Sequence, residues 1–272
     1  MKKLLALLLA ALMIAALTAC SDKDANKEDL KDYLQQEVVV DKAQIGDAVY
    51  HFDNVDSETV TITGYESVDT PHEVVIPAEL DGKAVVAISA EAFYYHSNVK
   101  AIKLPDTVKS IGDFAFAGCA MLESLTIPAN VEEIGEGAFA ECTAMETLTF
   151  ASGSKLTEIP KSAFTKCTAL TAVTIPASVK MVGTGAFLGC SALAEITVAE
   201  GVEMIGSQAF QNCVALATLK LPASVVTIGS QAFSGSENLY VQGVTVPADS
   251  VAAEFIAAMK LTNKPAETTP AA

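Results

Sequence analysis

The sequence predicts a repeat solenoid built from about seven coils of 23 residues. The stretch PDTVKSIGDFAFAGCAMLESLTIP, residues 105–128, returns with substitutions almost to the end of the chain. Its aligned copies place one phenylalanine in each coil, at Phe93, Phe116, Phe139, Phe164, Phe187, Phe210 and Phe233. Successive phenylalanines are 23 residues apart, apart from one gap of 25. A period of this length is typical of stacked units, none of which buries its apolar face alone.

Each coil follows the pattern P-x-x-V-x-x-I-G-x-x-A-F-x-x-C-x-x-L-x-x-L-x-I. The end of the pattern alternates, so Leu125 and Ile127 point inward while Ser124 and Thr126 point outward. We therefore expect a parallel β ladder on one face, with each strand closed by a proline that lacks an N–H. On the other face we expect turns, including a tight turn at Gly135, and a short helical turn that buries Phe139.

These patterns divide the chain into segments. Alternating β-branched residues and an Asp-Gly turn predict an N-terminal cap over 49–87, followed by the solenoid over 88–247. In the 25-residue copy, two extra residues near Ser152 and Gly153 should bulge outward. A capping helix over 248–260 should start at Asp249-Ser250 and present Val251, Phe255 and Met259 on one stripe. The Pro-containing segment 261–272 is predicted to be a disordered tail.

Coils of the form PDTVKSIGDFAFAGC and PASVVTIGSQAFSGS resemble the BspA-like leucine-rich repeats of bacterial surface proteins. The resemblance covers about residues 50–256 and implies a solenoid of the leucine-rich-repeat type. It also implies, more loosely, adhesion and binding to host matrix. Ala199 replaces the repeat proline and Ser236 replaces the repeat cysteine, both late in the array.

Composition excludes several classes of partner. The chain has 17 Lys+Arg, all of them Lys, against 33 Asp+Glu, which gives a net charge of −16. Nucleic acid and anionic lipid need clustered cations, so neither is expected as the main partner. With 51% hydrophobic residues the chain can bury a large core.

The N-terminus predicts export and lipid anchoring. Residues 1–19 start with Lys2 and Lys3 and continue as a short apolar run, which is typical of a signal peptide. Leu17 to Cys20 resembles the bacterial lipobox, which implies cleavage before Cys20 and acylation of its thiol. Polar residues then predict a flexible tether over 20–48. The alternative is an uncleaved N-terminal anchor.

Five cysteines follow the repeat phenylalanine by three residues: Cys119, Cys142, Cys167, Cys190 and Cys213. Export favours disulfides, but thiols in one inward column cannot all pair, so we expect a buried, reduced ladder. His96 occupies the same position one coil earlier, where a Cys–His pair with Cys119 is the alternative to a histidine next to the cap. No metal site, cofactor or catalytic constellation is predicted, and the protein is not expected to be an enzyme.

The outward strand positions form the candidate ligand face: Lys103, Thr126, Thr149, Thr174, Thr197 and Lys220. Threonine favours β-strands, so the alternative is that the column serves only strand formation and binds no ligand. We expect a lipid-anchored surface protein whose repeats bind a protein or other macromolecule, such as host extracellular matrix. The alternative is a structural spacer of the envelope without a dedicated ligand.

Overall fold

The N-terminal boundary of the fold lies earlier than predicted. The computed structural model describes residues 41–66, 70–236, 238–239 and 244–259, so the predicted signal peptide, Cys20 and the tail lie outside the described residues. Strand β1 (Asp41–Ile45) falls inside the range predicted as tether. It is an edge strand with largely exposed, polar residues, and for that reason its sequence lacks the alternation of a half-buried strand. Asp41 apart, the described residues belong to one compact unit.

The N-terminal cap supplies strands to both sides of the solenoid. Its strands are β2 (Ala48–Asn54), β3 (Thr59–Glu66), β4 (His72–Val75), β5 (Glu79–Leu80) and β6 (Lys83–Ile88). β2 and β3 pair antiparallel, and β3 then pairs parallel with β6. The predicted Asp-Gly turn joins β5 to β6, with positive φ at both Asp81 and Gly82. The cap therefore converts an antiparallel sheet into the parallel pairing of the repeats.

The main sheet contains eight strands, all parallel in their pairings. After β4 they are β7 (Val99–Lys103), β9 (Ser124–Ile127), β11 (Thr147–Phe150), β13 (Ala172–Ile175), β15 (Glu195–Val198), β17 (Thr218–Lys220) and β19 (Val244–Thr245). In β9 the side chains of Leu125 and Ile127 are buried while those of Ser124 and Thr126 are exposed. The predicted parallel ladder is confirmed.

The opposite side also carries strands, which the sequence did not predict. They are β8 (Ser110–Ile111), β10 (Glu133–Ile134), β12 (Glu158–Ile159), β14 (Met181–Val182), β16 (Met204–Ile205) and β18 (Thr227–Ile228). β8 and β10 continue the sheet of the cap, whereas β12, β14, β16 and β18 form a separate four-stranded sheet. Two residues are too few to show a period in the sequence, which explains why these strands were missed.

A proline accounts for the break between β10 and β12. In the other coils a glycine follows the short strand and donates its N–H to the preceding coil, as Gly135 does to the Ile111 carbonyl at 2.7 Å. Pro160 occupies this position in the longer coil and has no N–H to donate to Ile134. The two extra residues of this coil, Ser152 and Gly153, are exposed, and Leu156 beyond them is fully buried, so the predicted outward bulge is confirmed.

The phenylalanines lie in turns rather than in the predicted helical turns. The N–H of Ala115 donates within its own coil to Gly112 O, whereas the N–H of Phe116 donates to Ala138 O of the next coil. Residues two before and two after every repeat phenylalanine have positive φ. Because alternate N–H groups leave the coil, a helix cannot propagate here, and the segment becomes a third ladder of bonds between coils.

The core is a continuous column of stacked rings. Each of the seven repeat phenylalanines is at most 2% exposed. Neighbouring rings lie 4.8 to 5.5 Å apart between centroids, and their planes are within 18° of parallel. Such offset stacking adds to the hydrophobic contribution of the buried rings.

Helix α1 (Val251–Ala258) covers the C-terminal end of the array. Ser250 caps it by accepting a hydrogen bond from the Ala253 N–H. The ring of Phe255 meets that of Phe233 edge-on at 6.2 Å, and Ala252 is fully buried. The helix lies within the predicted range 248–260, but the predicted stripe was wrong at Val251, which is 43% exposed. The helix is rotated so that Ile256, together with Phe255, packs against the core.

The repeat glycines are required by close contact between coils and not by a tight turn. Gly135 and Gly206 do not have positive φ, contrary to the turn predicted at Gly135. A Cβ added at Gly206 would instead lie 2.7 Å from the Gly183 carbonyl carbon and from the Thr184 nitrogen. Backbone atoms of the preceding coil cannot move aside without loss of the bonds between coils.

We therefore predict that Gly206→Ala lowers the free energy of unfolding by about 1–3 kcal/mol, the range typical of overpacking. Gly64→Ala is the matched control, since its new Cβ would meet only the His51 side chain, at 3.6 Å. Urea unfolding followed by circular dichroism measures both. Equal stability of the two variants would contradict the close-contact explanation.

Candidate binding face

The structure brings all six predicted ligand-face residues into one column on the outer side of the main sheet. Thr149 pairs with Thr126, and Thr174 pairs with Thr197, which in turn pairs with Lys220. The side chain of Thr197 is half-buried, and the other five residues are exposed. The column also extends further than predicted, because Val75 precedes Lys103 and Thr245 follows Lys220.

The hydroxyl groups of the central column are unused within the described part of the chain. Thr126, Thr149, Thr174 and Thr197 form no side-chain hydrogen bond with another described residue. Threonines elsewhere on the solenoid do form them: Thr143 Oγ1 donates to Ala120 O at 3.3 Å, and similar bonds are made by Thr165, Thr168 and Thr171. The column therefore presents hydroxyls that can donate to, and accept from, a bound molecule.

The two lysines at the ends of the column are paired, so they do not provide free charges. Lys103 Nζ lies 2.5 Å from Glu73 Oε1, and Lys220 Nζ lies 2.9 Å from Glu195 Oε1. Each pair is about half exposed and contributes little stability. Its main effect is to neutralise the two ends of the face.

The glutamates of these ion pairs belong to a second outward column that the sequence reasoning missed. It runs beside the first and reads Glu73, Ala101, Ser124, Thr147, Ala172, Glu195 and Thr218. The signal was present, since these residues occupy the first outward position of the strand that ends each L-x-x-L-x-I segment. The two columns together form what we call the threonine face, an uncharged centre bounded by an ion pair at each end.

The five repeat cysteines are reduced and fully buried, as predicted. Each thiol donates to the carbonyl of a phenylalanine in the preceding coil, as Cys142 Sγ does to Phe116 O at 3.4 Å. Burial raises the pKa of Cys119 and of Cys213 to about 12, and raises the pKa of the three central thiols as well. Few of these thiols are therefore deprotonated at neutral pH. Because the thiolate is the nucleophilic form of cysteine, the column is a poor candidate for nucleophilic chemistry.

His96 and Cys119 do not form a catalytic pair. His96 Nε2 bonds the Tyr65 carbonyl at 2.9 Å, and Cys119 Sγ donates to Phe93 O at 3.4 Å. The preferred interpretation, a histidine at the junction with the cap, agrees with this placement. Within the described ranges no three His, Cys, Asp or Glu side chains could hold a metal ion, and no helix there could cross a bilayer. That the protein is not an enzyme and binds no cofactor stays a prediction.

Comparison with known proteins identifies the repeats. The model of the BspA type leucine rich repeat region matches six copies over residues 86–194 and 157–252. The chain belongs to the BspA-type leucine-rich repeat family. No curated protein sequence matches it.

Solved structures of other proteins share the fold. A leucine-rich repeat protein of T. pallidum (TpLRR) is 27% identical, with a TM-score of 0.66 over 79% of this chain and 95% of that one. A leucine-rich repeat protein from Eubacterium ventriosum is 29% identical, with a TM-score of 0.62 over 71% of this chain and 49% of its own. The pneumococcal vaccine antigen PcpA, 24% identical over 77% of this chain and 51% of its own, has a TM-score of 0.50 and supports the fold alone.

The thiol ladder of this BspA-type array gives a chemical test. We expect iodoacetamide at pH 8 to leave the five repeat cysteines unmodified in the folded protein, because burial suppresses their thiolates. After unfolding without a reductant, all five should be alkylated. Mass spectrometry of the individual cysteine peptides measures both states. Unmodified cysteine peptides in the unfolded sample would reveal disulfides and contradict the reduced ladder.

Proposed function

We propose that the protein is an exported, lipid-anchored surface protein that binds another protein, with host extracellular matrix as the expected class of partner. The observation that carries this proposal is the threonine face, an exposed sheet surface whose hydroxyls have no partner among the described residues. Membership of a family of bacterial surface proteins built from leucine-rich repeats supports it.

The shape and chemistry of the threonine face favour a polypeptide partner. Its centre carries no charge, so polyanions and polycations gain nothing there. Hydroxyls repeated on successive parallel strands can pair with the backbone and side-chain polar groups of an extended segment. Val75 at the N-terminal end is 54% exposed and adds an apolar contact to one end of the face.

A spacer function is the second candidate. The ion pairs Lys103–Glu73 and Lys220–Glu195 neutralise the edges of the face and favour solubility without a partner. A spacer requires only the stacked core, and the threonines then serve as strand formers. The two candidates differ in what happens when the face is altered without changing the core.

Thr149→Glu combined with Thr174→Glu should abolish binding to a panel of purified extracellular-matrix proteins, since it introduces two charges at the centre of the face. Both positions are exposed, so the free energy of unfolding should change by less than about 1 kcal/mol. The matched control is Thr157→Glu with Thr227→Glu, two exposed threonines on the opposite side. Surface plasmon resonance measures binding. If the parent chain binds no panel member, the spacer function is favoured. If it binds and both double variants bind equally well, the threonine face is not the binding surface.

Lipid anchoring through Cys20 has a separate test. Mass spectrometry of the exported protein should find an N-terminal Cys20 carrying acyl chains, and Cys20→Ser should move the protein from the membrane fraction to the soluble fraction. More than one chain is expected, because a single chain gives only marginal anchoring. A mature N-terminus at another residue would show that the lipobox interpretation is wrong.

A further inference from the structure

A cluster of exposed aromatic side chains lies on the turn side of the solenoid, away from the threonine face. Its members are Tyr94, Tyr95 and Phe114, which are 45%, 56% and 38% exposed. Tyr94 and Tyr95 follow the repeat phenylalanine of the first coil, and Phe114 precedes that of the second. We call these three residues the aromatic patch. No other described coil exposes an aromatic side chain at these positions.

Two rings of the aromatic patch lie against glycines of the next coil. The Tyr95 ring lies against Gly118 of the next coil, where an added Cβ would be 2.7 Å from it. The Phe114 ring covers Gly137 in the same manner, and an added Cβ there would overlap it. At the position after the repeat phenylalanine the first coil carries Tyr94, and the next two coils carry Ala117 and Ala140. The exposed ring surfaces of the aromatic patch are therefore those of Tyr94, Tyr95 and Phe114.

The rings are held in place by their neighbours. Tyr94 and Tyr95 meet edge to face, with centroids 4.5 Å apart and planes at 87°. The Tyr95 hydroxyl donates to Glu141 Oε2 at 3.3 Å, and Lys166 Nζ lies 2.6 Å from the other oxygen of that carboxylate. Fixed aromatic side chains lose little entropy when they bind a partner.

Stacking of the coils does not require aromatic residues here. Tyr95 and Phe114 adopt positive φ, at 57° and 53°, which L residues with large side chains rarely do. At the same two positions other coils carry glycine, as at Gly118 and Gly137, or a polar residue with the same positive φ, as at Gln208 and Asn212. The fold therefore accepts small or polar residues where the first two coils expose rings.

Two acidic residues lie close to the aromatic patch along the backbone. The Tyr94 N–H donates to the backbone carbonyl of Glu91, and the Glu91 N–H donates to the backbone carbonyl of Asp113, the residue before Phe114. In the described part of the chain neither Glu91 nor Asp113 forms an ion pair with a lysine. Asp113 accepts one hydrogen bond, from the Glu136 N–H. Exposed rings together with carboxylates that no lysine neutralises complement a cation with a flat face.

We propose that the aromatic patch binds an arginine side chain of another protein. A guanidinium is planar and can stack on Tyr95 or Phe114 while its N–H groups bond the carboxylates of Glu91 and Asp113. A lysine ammonium has no flat face and fits less well. The chain contains no arginine, so a second copy cannot supply this group. The patch is a second contact surface, independent of the threonine face.

The test uses the full chain in a mild non-ionic detergent and a fluorescein-labelled peptide, Gly-Arg-Gly-Arg-Gly, in fluorescence anisotropy. An otherwise identical peptide with citrulline in place of arginine keeps the shape and removes the charge. We expect the arginine peptide to bind at least about tenfold more tightly than the citrulline peptide, because the charge-assisted contacts are lost. Equal binding of the citrulline peptide overturns the proposal. Tighter binding of a hexaproline peptide, which has no charged side chain, overturns it as well.

Variants then locate the site. Tyr95→Gly with Phe114→Gly introduces the residue that other coils carry and should weaken binding by about fivefold or more, as two exposed cation–π contacts predict. Gln208→Gly with Asn212→Gly makes the same change in a later coil and should bind like the parent. Glu91→Gln should weaken binding as well. Thr149→Glu with Thr174→Glu should not weaken it, which separates this surface from the threonine face.

If Tyr95→Gly with Phe114→Gly binds the arginine peptide as tightly as the parent, the attraction comes from the net charge of −16 alone and the proposal is wrong. Circular dichroism and thermal unfolding of each variant establish that it is folded. Should a glycine pair prove unstable, Tyr95→Asn with Phe114→Asn keeps a residue that tolerates positive φ and gives the same readout.

Discussion

The structure depends on how closely one coil can approach the next. Three ladders of backbone hydrogen bonds join successive coils, in the main sheet, in the short strands and in the phenylalanine turns. All three need the coils to lie at strand spacing. A glycine follows every short strand except β12 and permits this approach, because a Cβ there would meet the backbone of the preceding coil. The stacked rings, the thiol column and the outward threonines then recur at the same interval.

Much of this could be predicted from the sequence, and the limits have physical causes. The 23-residue period and the Leu-x-Ile alternation sufficed for the main sheet, for inward cysteines and for the column through Thr126 and Thr149. The Lys103–Glu73 ion pair could not be predicted from the sequence. It depends on the register between two strands, and its two residues are 30 positions apart in the chain. The short strands were missed for lack of a period, and β1 for lack of an apolar face.

The candidate surfaces show the same division. The outward column through Thr126 and Thr149 follows from alternation and was located from the sequence, whereas the second column and the neutral ends of the threonine face were not. Tyr94, Tyr95 and Phe114 drew no attention as a sequence, because only the left-handed turns place them beside glycines of the next coil. Repeats are recognised from the residues that they share, so a site made of residues that differ from coil to coil is easily overlooked.

The turn ladder has one further consequence. Its N–H groups all donate from one coil to the following coil, as Phe93 does to Ala115 O and Phe116 to Ala138 O. In this ladder each interior coil therefore offers acceptors on one side and donors on the other, so these bonds do not depend on which coil follows which. Duplication or deletion of a whole 23-residue unit leaves every remaining junction of the turn ladder matched, so the length of such a protein can change in evolution while both caps stay the same.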